Sequence, residues 1–141
     1  MDGIVGMIKM VLTLNATAEW LPCDGRMLPV ADYPELFALT GFRFGGEGEQ
    51  FALPTVPSQE QAHYMIKVRS MANEAPYQGL VAQMVIWAGK EIPTHWVPCD
   101  GRLVSGADYP LLQKVAATGA NGAMMDQFHL PQIPASPGLQ Y

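Results

Sequence analysis

Charge is scarce in this chain. Only 15% of its 141 residues are Asp, Glu, Lys or Arg, and the eight Lys and Arg are outnumbered by 13 Asp and Glu. The net charge of −5 and the scatter of the cations exclude a nucleic-acid partner, which needs clustered cations to displace phosphate counterions. Long hydrophobic runs are lacking too. No stretch approaches the ~20 apolar residues of a membrane helix. At the N-terminus Asp2 comes first and Lys9 interrupts the apolar run, so the chain is read as soluble, without membrane insertion and without a classical secretory signal. Cysteine is limited to Cys23 and Cys99. A disulfide between them would need Cα atoms about 5.5 Å apart. They are read instead as reduced, buried thiols packing as small hydrophobes.

What the chain does have is an echo of itself. Trp20-Leu21-Pro22-Cys23-Asp24-Gly25-Arg26-Met27 returns as Trp96-Val97-Pro98-Cys99-Asp100-Gly101-Arg102-Leu103, an offset of 76 (96 − 20). Ala31-Asp32-Tyr33-Pro34 returns as Ala107-Asp108-Tyr109-Pro110. Phe51-Ala52-Leu53-Pro54 returns as Phe128-His129-Leu130-Pro131, now at an offset of 77 (128 − 51), so one residue has been inserted between, as surface loops tolerate. Residues 1–69 form repeat 1, 70–79 a linker with Pro76 and Gly79, and 80–141 repeat 2. The expected class is α+β and strand-dominated, each repeat a small sheet with hairpins and one short helix.

Period-two alternation marks a first strand, with Ile4, Gly6, Ile8, Met10 and Leu12 facing the core. The second copy is expected to use Leu80, Ala82, Met84 and Ile86 in the same way. Asp24-Gly25 and Asp100-Gly101 read as tight turns, because Asp-Gly tolerates positive φ. A helix follows in each copy. Asp32 and Asp108 are its expected caps, Glu35 completes a capping box, and Gly41 and Gly119 stop it. Tyr33, Leu36, Phe37 and Thr40 share its inner face, as do Tyr109, Leu112 and Ala116. A half-buried strand closes repeat 1, His63, Met65, Lys67 and Arg69 alternating with Tyr64, Ile66 and Val68. Tyr141 aligns with Tyr64, so the closing strand of repeat 2 is expected to be truncated, leaving an open sheet edge.

No catalytic, cofactor or metal site emerges. The repeated aspartates have structural duties as turn and cap residues. His63, His95 and His129 recur at no matching position and show no metal-ligand spacing. Arg26 and Arg102 follow the turns and are read as braces for a carboxylate. Trp20 and Trp96 are read as anchors of each small core. Gly45-Gly46-Glu47-Gly48 lacks the Lys-Ser/Thr ending of a phosphate loop and carries acid, so it is read as a surface loop. Its counterpart, residues 118–126 with Asn121, Met124 and Met125, has diverged in character. These two loops are the candidate receptor or partner surfaces.

The ordered set of an apolar strand, Trp-x-x-Cys-Asp-Gly, a Tyr-x-x-Leu helix, a Gly-bearing loop and Phe-x-Leu-Pro resembles the phage tail collar domain, found also in bacterial microcystin-dependent proteins. Nearly the whole chain is covered, as two tandem units. The resemblance implies a structural, non-enzymatic protein of the virion tail, made in the host cytoplasm. A tail fibre, a baseplate or a tail-tip attachment subunit would fit, and such proteins are commonly trimeric. Family members usually continue Leu-Pro with Asp and a basic stretch. Here Leu53-Pro54 continues with Thr55-Val56-Pro57 and Leu130-Pro131 with Gln132-Ile133-Pro134, which favours a compact attachment subunit over a fibre shaft. The alternatives are a carbohydrate-binding module that meets a host surface glycan, and a bacterial protein of the microcystin-dependent kind.

Assembly is the remaining expectation. Units of roughly 70 residues bury thin cores. With few charges, much apolar surface is left for a partner. The open edge offers a place for a strand from another subunit or tail protein. The chain is therefore expected to form a homo-oligomer, with the resemblance adding the preference for a trimer.

Overall fold

The alternation that marks the first strand is interrupted by a turn. In a computed structural model, which describes residues 3–70, 74, 77, 79–116, 126–134 and 138–141, the Met7 N–H donates to the Ile4 carbonyl at 3.0 Å and Gly6 takes φ 94°. Positive φ at the third residue is what a type II turn requires. Repeat 2 makes the same turn: the Gln83 N–H donates to the Leu80 carbonyl at 3.0 Å, and Ala82 stands at φ 71°. The strand expected from Ile4 therefore begins later, as β1 (Met7–Val11), and the one expected from Leu80 shrinks to β7 (Ile86–Trp87). Between them run β2 (Trp20–Pro22), β3 (Met27–Pro29), α1 (Pro34–Thr40), β4 (Gly46–Glu47), β5 (Gln50–Ala52) and β6 (His63–Lys67). After β7 come β8 (Leu103–Ser105), α2 (Pro110–Ala116) and β9 (Gln127–His129). The fold is strand-dominated α+β.

The main sheet has the order β2-β6-β1-β7 and is antiparallel throughout. β1 and β7 are the same element in the two copies, and they pair with Met7 opposite Trp87 and Ile8 opposite Ile86. Beyond β7 the repeat 1 order recurs in mirror sequence. Trp87 and Gln140 exchange backbone hydrogen bonds of 2.7 and 2.9 Å, and the Cys99 N–H donates to the Tyr141 carbonyl at 2.7 Å, as Cys23 does to Tyr64 at 3.0 Å. A local pseudo-twofold thus runs between β1 and β7 and joins the units into one sheet. A second sheet of repeat 1 orders β3-β5-β4, and its counterpart in repeat 2 is the β8-β9 pair.

One face of the main sheet builds the large core. Ile8, Ile66 and Val68 pack with Leu28, Leu36, Phe51 and Leu53, and Ala88 and Leu139 of repeat 2 join them. Among the described residues the core of repeat 2 is thinner, made of Val104, Phe128 and Leu130, with Val97, Tyr109 and Leu112 against it.

Several faces differ from their expected orientation. Met10 and Leu12 are 61% and 76% exposed, because α1 and the second sheet cover only the Ile8 end of β1. Leu80 and Met84 are exposed as well, at 80% and 56%, since the turn at Ala82 diverts their backbone from the sheet. Conversely the Met65–Lys67 part of β6 is buried on both faces, not half-buried. Lys67 is 1% exposed; its Nζ donates to the Gly3 carbonyl at 2.8 Å and pairs with Glu74, with Glu19 at 3.8 Å. Its charge is tolerated there because carboxylates meet it.

The helix caps also shift by one residue. Tyr33, not Asp32, occupies the N-cap of α1 and no side chain caps the helix, because Pro34 sets the first turn. The Asp32 carbonyl instead accepts from Arg69 Nη2 at 2.9 Å, and Glu35 accepts from Ser70 Oγ at 3.4 Å. α2 likewise begins at Pro110, which puts Tyr109 rather than Asp108 next to it. Gly41 does stop α1, its N–H donating to the Phe37 carbonyl at 2.7 Å. Gly119, the Ala116 side chain and most of residues 70–79 lie outside the described residues.

The paired turns make a testable contrast. Alanine in the left-handed region costs about 1 kcal/mol, so Ala82→Gly is expected to raise stability by up to that amount. Gly6→Ala is expected to lower stability by more, since its Cβ would also meet the Trp87 ring at 3.1 Å. Urea unfolding followed by tryptophan fluorescence reads both. Opposite signs are the expected result.

Candidate functional site

Each repeat presents the same rigid corner. Arg26 Nε donates to Asp24 Oδ1 at 3.0 Å and Nη2 to Oδ2 at 2.7 Å, while the Arg26 backbone N–H donates to Oδ1 at 3.1 Å. Repeat 2 reproduces this clamp between Arg102 and Asp100 with distances of 2.9, 2.7 and 3.1 Å. Gly25 and Gly101 sit inside the clamps at φ 78° and 77°. The turn is also sewn to the Leu-Pro segment. The Val56 N–H donates to the Cys23 carbonyl and the Leu53 N–H to the Arg26 carbonyl, at 3.0 and 2.9 Å. Ile133 and Leu130 do the same with Cys99 and Arg102 at identical distances. A Cβ on Gly25 would collide with Thr55 Oγ1, which explains why glycine is needed at this close approach.

The electrostatics of the corner are structural. The hydrogen bonds from the Arg26 side chain hold the Asp24 carboxyl below the usual range, and Arg102 does the same for Asp100. A depressed folded-state pKa stabilises above the unfolded value, and that contribution fades as pH falls through the folded one. Both clamps are half-exposed, so solvent screens them and their stabilisation is small. The neighbouring thiols move the other way. Burial, and secondarily the Asp24 charge, pushes Cys23 up to about 12. Cys99 is raised by burial and then by Asp100. A nucleophilic cysteine needs a lowered pKa, so both shifts oppose that chemistry.

The other candidate residues are distributed rather than gathered. Cys23 is buried, whereas Cys99 is only half-buried, against the expectation for both; both are free thiols. Cys99 lies along the apolar groove at the seam rather than in a core cluster. Trp20 is buried beneath Gly3 on the sheet face opposite the large core, and Trp96 is half-buried along the seam between the units. They anchor that seam and the outer sheet face rather than the two core clusters. Gly45, Gly46, Glu47 and Gly48 are exposed, and Gly46 and Glu47 pair with Phe51 and Gln50, so this loop is a short hairpin. Asn121, Met124 and Met125 lie outside the described residues. His63 Nδ1 meets Ser58 Oγ and His129 Nδ1 meets the Gly101 carbonyl, each at 3.0 Å. Among the described residues no group of three or more His, Cys, Asp or Glu is placed to hold a metal, and no helix is long and apolar enough to cross a membrane.

Sequence reasoning missed a feature at the seam. An apolar groove runs between residues 83–85 and Trp96-Val97, with Ile92, Met7 and Tyr141 along it. The cue was available in the exact repetition of Trp-x-Pro-Cys beside a first strand whose partner is β6 in repeat 1.

The duplicated clamp, helix and Leu-Pro segment correspond to a known domain. The family model of the Phage Tail Collar Domain matches residues 6–59 and again residues 82–135. The chain belongs to the phage tail collar domain family. It carries two tandem collar units, of a family of structural phage tail domains. No curated protein and no solved structure matches the chain. In this collar protein both matched segments contain the backbone-stitched clamp described above, Cys-Asp-Gly with Phe-x-Leu-Pro.

The thiols provide the check on this geometry. With Cys23 buried and its pKa near 12, alkylation at pH 8 is expected to modify Cys99 alone in the native protein, and both after unfolding. Mass spectrometry of iodoacetamide-treated protein reads the order. Equal native labelling of the two would contradict the packing around Cys23.

Proposed function

We propose that this collar protein is a structural subunit of the phage tail, at a tail-tip attachment, baseplate or fibre-associated position, working by shape and assembly rather than catalysis. The observation that carries the reading is the apolar surface left on a rigid frame. Met10, Leu12 and Leu14 are exposed along and beyond β1, as are Leu80, Val81 and Met84 before β7. Large apolar side chains left exposed on two neighbouring segments are the kind of surface that assemblies bury. The clamps fix the corners of each unit, so contacts are presented in a set geometry. Homo-oligomerisation and contacts with other tail or baseplate proteins would use the same surface, and the family resemblance adds the preference for a trimer.

The glycan-binding alternative would use the exposed hairpin around Gly45–Gly48 and the diverged loop of repeat 2. Trp20 does not serve it, being buried.

Sedimentation equilibrium at micromolar concentration tests the assembly. The expected result is a concentration-dependent species of three times 15.4 kDa. A monomer of 15.4 kDa at every concentration would overturn it.

A further inference from the structure

Only half of the seam between the units is made. On one side of the pseudo-twofold, the backbone that leaves β7 crosses the end of α1. The Ala88 N–H donates to the Gly6 carbonyl at 3.1 Å, and the Lys90 N–H donates to the Leu39 carbonyl at 3.3 Å. Arg43 Nη1 donates to the Ala88 carbonyl at 3.4 Å. Ala88 is buried there, and Leu39 packs against the large core. The repeat offset of 76 places Leu12 at the position of Ala88, Leu14 at that of Lys90, Ala82 at that of Gly6 and Val115 at that of Leu39. Neither equivalent bond, Leu12 to Ala82 or Leu14 to Val115, is made, because the pairing of β1 with β7 stops at Ile8 and Ile86.

Both surfaces of the unmade half are bare, and both are apolar. On α2, Leu111 and Val115 stand one helical turn apart, 60% and 62% exposed, while Leu112 packs against the core of repeat 2. On repeat 1, Leu12 and Leu14 belong to an exposed segment, residues 12–18, that carries no charged side chain. The made half is different at the same places. Glu35 stands where α2 has Leu111, and its carboxylate meets Ser70. Lys90, followed by Glu91, stands where repeat 1 has Leu14, and both are exposed. Charge has thus given way to leucine on both sides of the unmade half, although nothing in the chain covers either side. Their twins already fit each other within the chain, so the two surfaces are complementary in backbone geometry. A second copy can satisfy both.

We propose that residues 12–14 of one protomer dock on the Leu111–Val115 face of α2 in a second copy of this chain, repeating between molecules the contact that residues 88–90 make with α1 within one. The contact is head-to-tail. Each protomer donates once and accepts once, and a ring forms where the rotation between neighbours closes. The proposal rests on the assembly reading and names the surfaces that assembly uses.

Disulfide trapping on the full chain reads the contact. Leu14→Cys and Val115→Cys are made singly in a Cys99→Ser background, with Cys23 left in place because it is buried. A backbone hydrogen bond between the two sites brings their Cα atoms into disulfide range, about 4.4–6.8 Å. Under mild oxidation the mixed variants are expected to form a linked pair of twice 15.4 kDa, at least about tenfold faster than either variant alone. Leu14→Asp, at an exposed side chain, is expected to weaken self-association in sedimentation at least about tenfold and to leave the urea midpoint unchanged. Equal linking of like and unlike variants, or no linking, overturns the proposal. So does a double variant, Leu14→Cys with Val115→Cys, that closes its disulfide within one chain. Undiminished association of Leu14→Asp overturns this contact and leaves the assembly reading standing. A wild-type monomer at every sedimentation concentration overturns the assembly reading, and the mixed-variant linking at millimolar concentration still decides the contact.

Discussion

A strand in the middle of a sheet needs partners on both edges, and β1 finds one of them in its own repeat. β6 supplies one edge, and β7, the same element of the other unit, supplies the second. This antiparallel contact of like with like sets the rest of the molecule. It places the pseudo-twofold, brings Ala88 and Leu139 into the large core, and lays Trp87 against Gly6. It also leaves β1 sound only over Met7 and Ile8 on that side, so the Met10 end stays exposed. The core of repeat 2, with three buried side chains among the described residues, is small for an independent domain. Attachment to the first sheet supplies what the thin core lacks.

The collar frame itself depends on short-range chemistry. Asp24 and Asp100 grip arginines two residues away, and the turns are stitched to Leu53 and Leu130 by backbone hydrogen bonds that match between copies. Because these links are mostly backbone, the two copies can diverge in side chains without losing the corner. The divergence falls where Val30 and Gly106 hand over to the hairpin and its counterpart, where no clamp is needed. A tail subunit built this way keeps an invariant scaffold and varies what it presents.

This division also explains how much was legible in the sequence. The Asp-Gly turns, α1 with its Gly41 stop, and the correspondence of the two copies were readable because each rests on a few neighbouring residues. The arginine brace was readable for the same reason. The orientation of β1 was not, because alternation says which residues share a face and not which length of that face is covered; Met10 follows the period of Ile8 and is solvent-exposed. Lys67 was placed on a half-wet face, since its carboxylate partners, Glu19 and Glu74, come from other segments. Ala82 carries no sign of its left-handed backbone until it is aligned with Gly6. Asp32 looked like a cap, but Pro34 moved the helix start one residue past it.

The union of the two units through β1 and β7 is the claim on which the shared core, the seam and its groove all rest. Nuclear Overhauser contacts across that pair test it most directly. The structure predicts cross-strand backbone contacts linking Met7 with Trp87 and Ile8 with Ile86, together with side-chain contacts from Leu139 to the Ile66 core. Absence of those contacts, with the two units relaxing at different rotational correlation times, would contradict it.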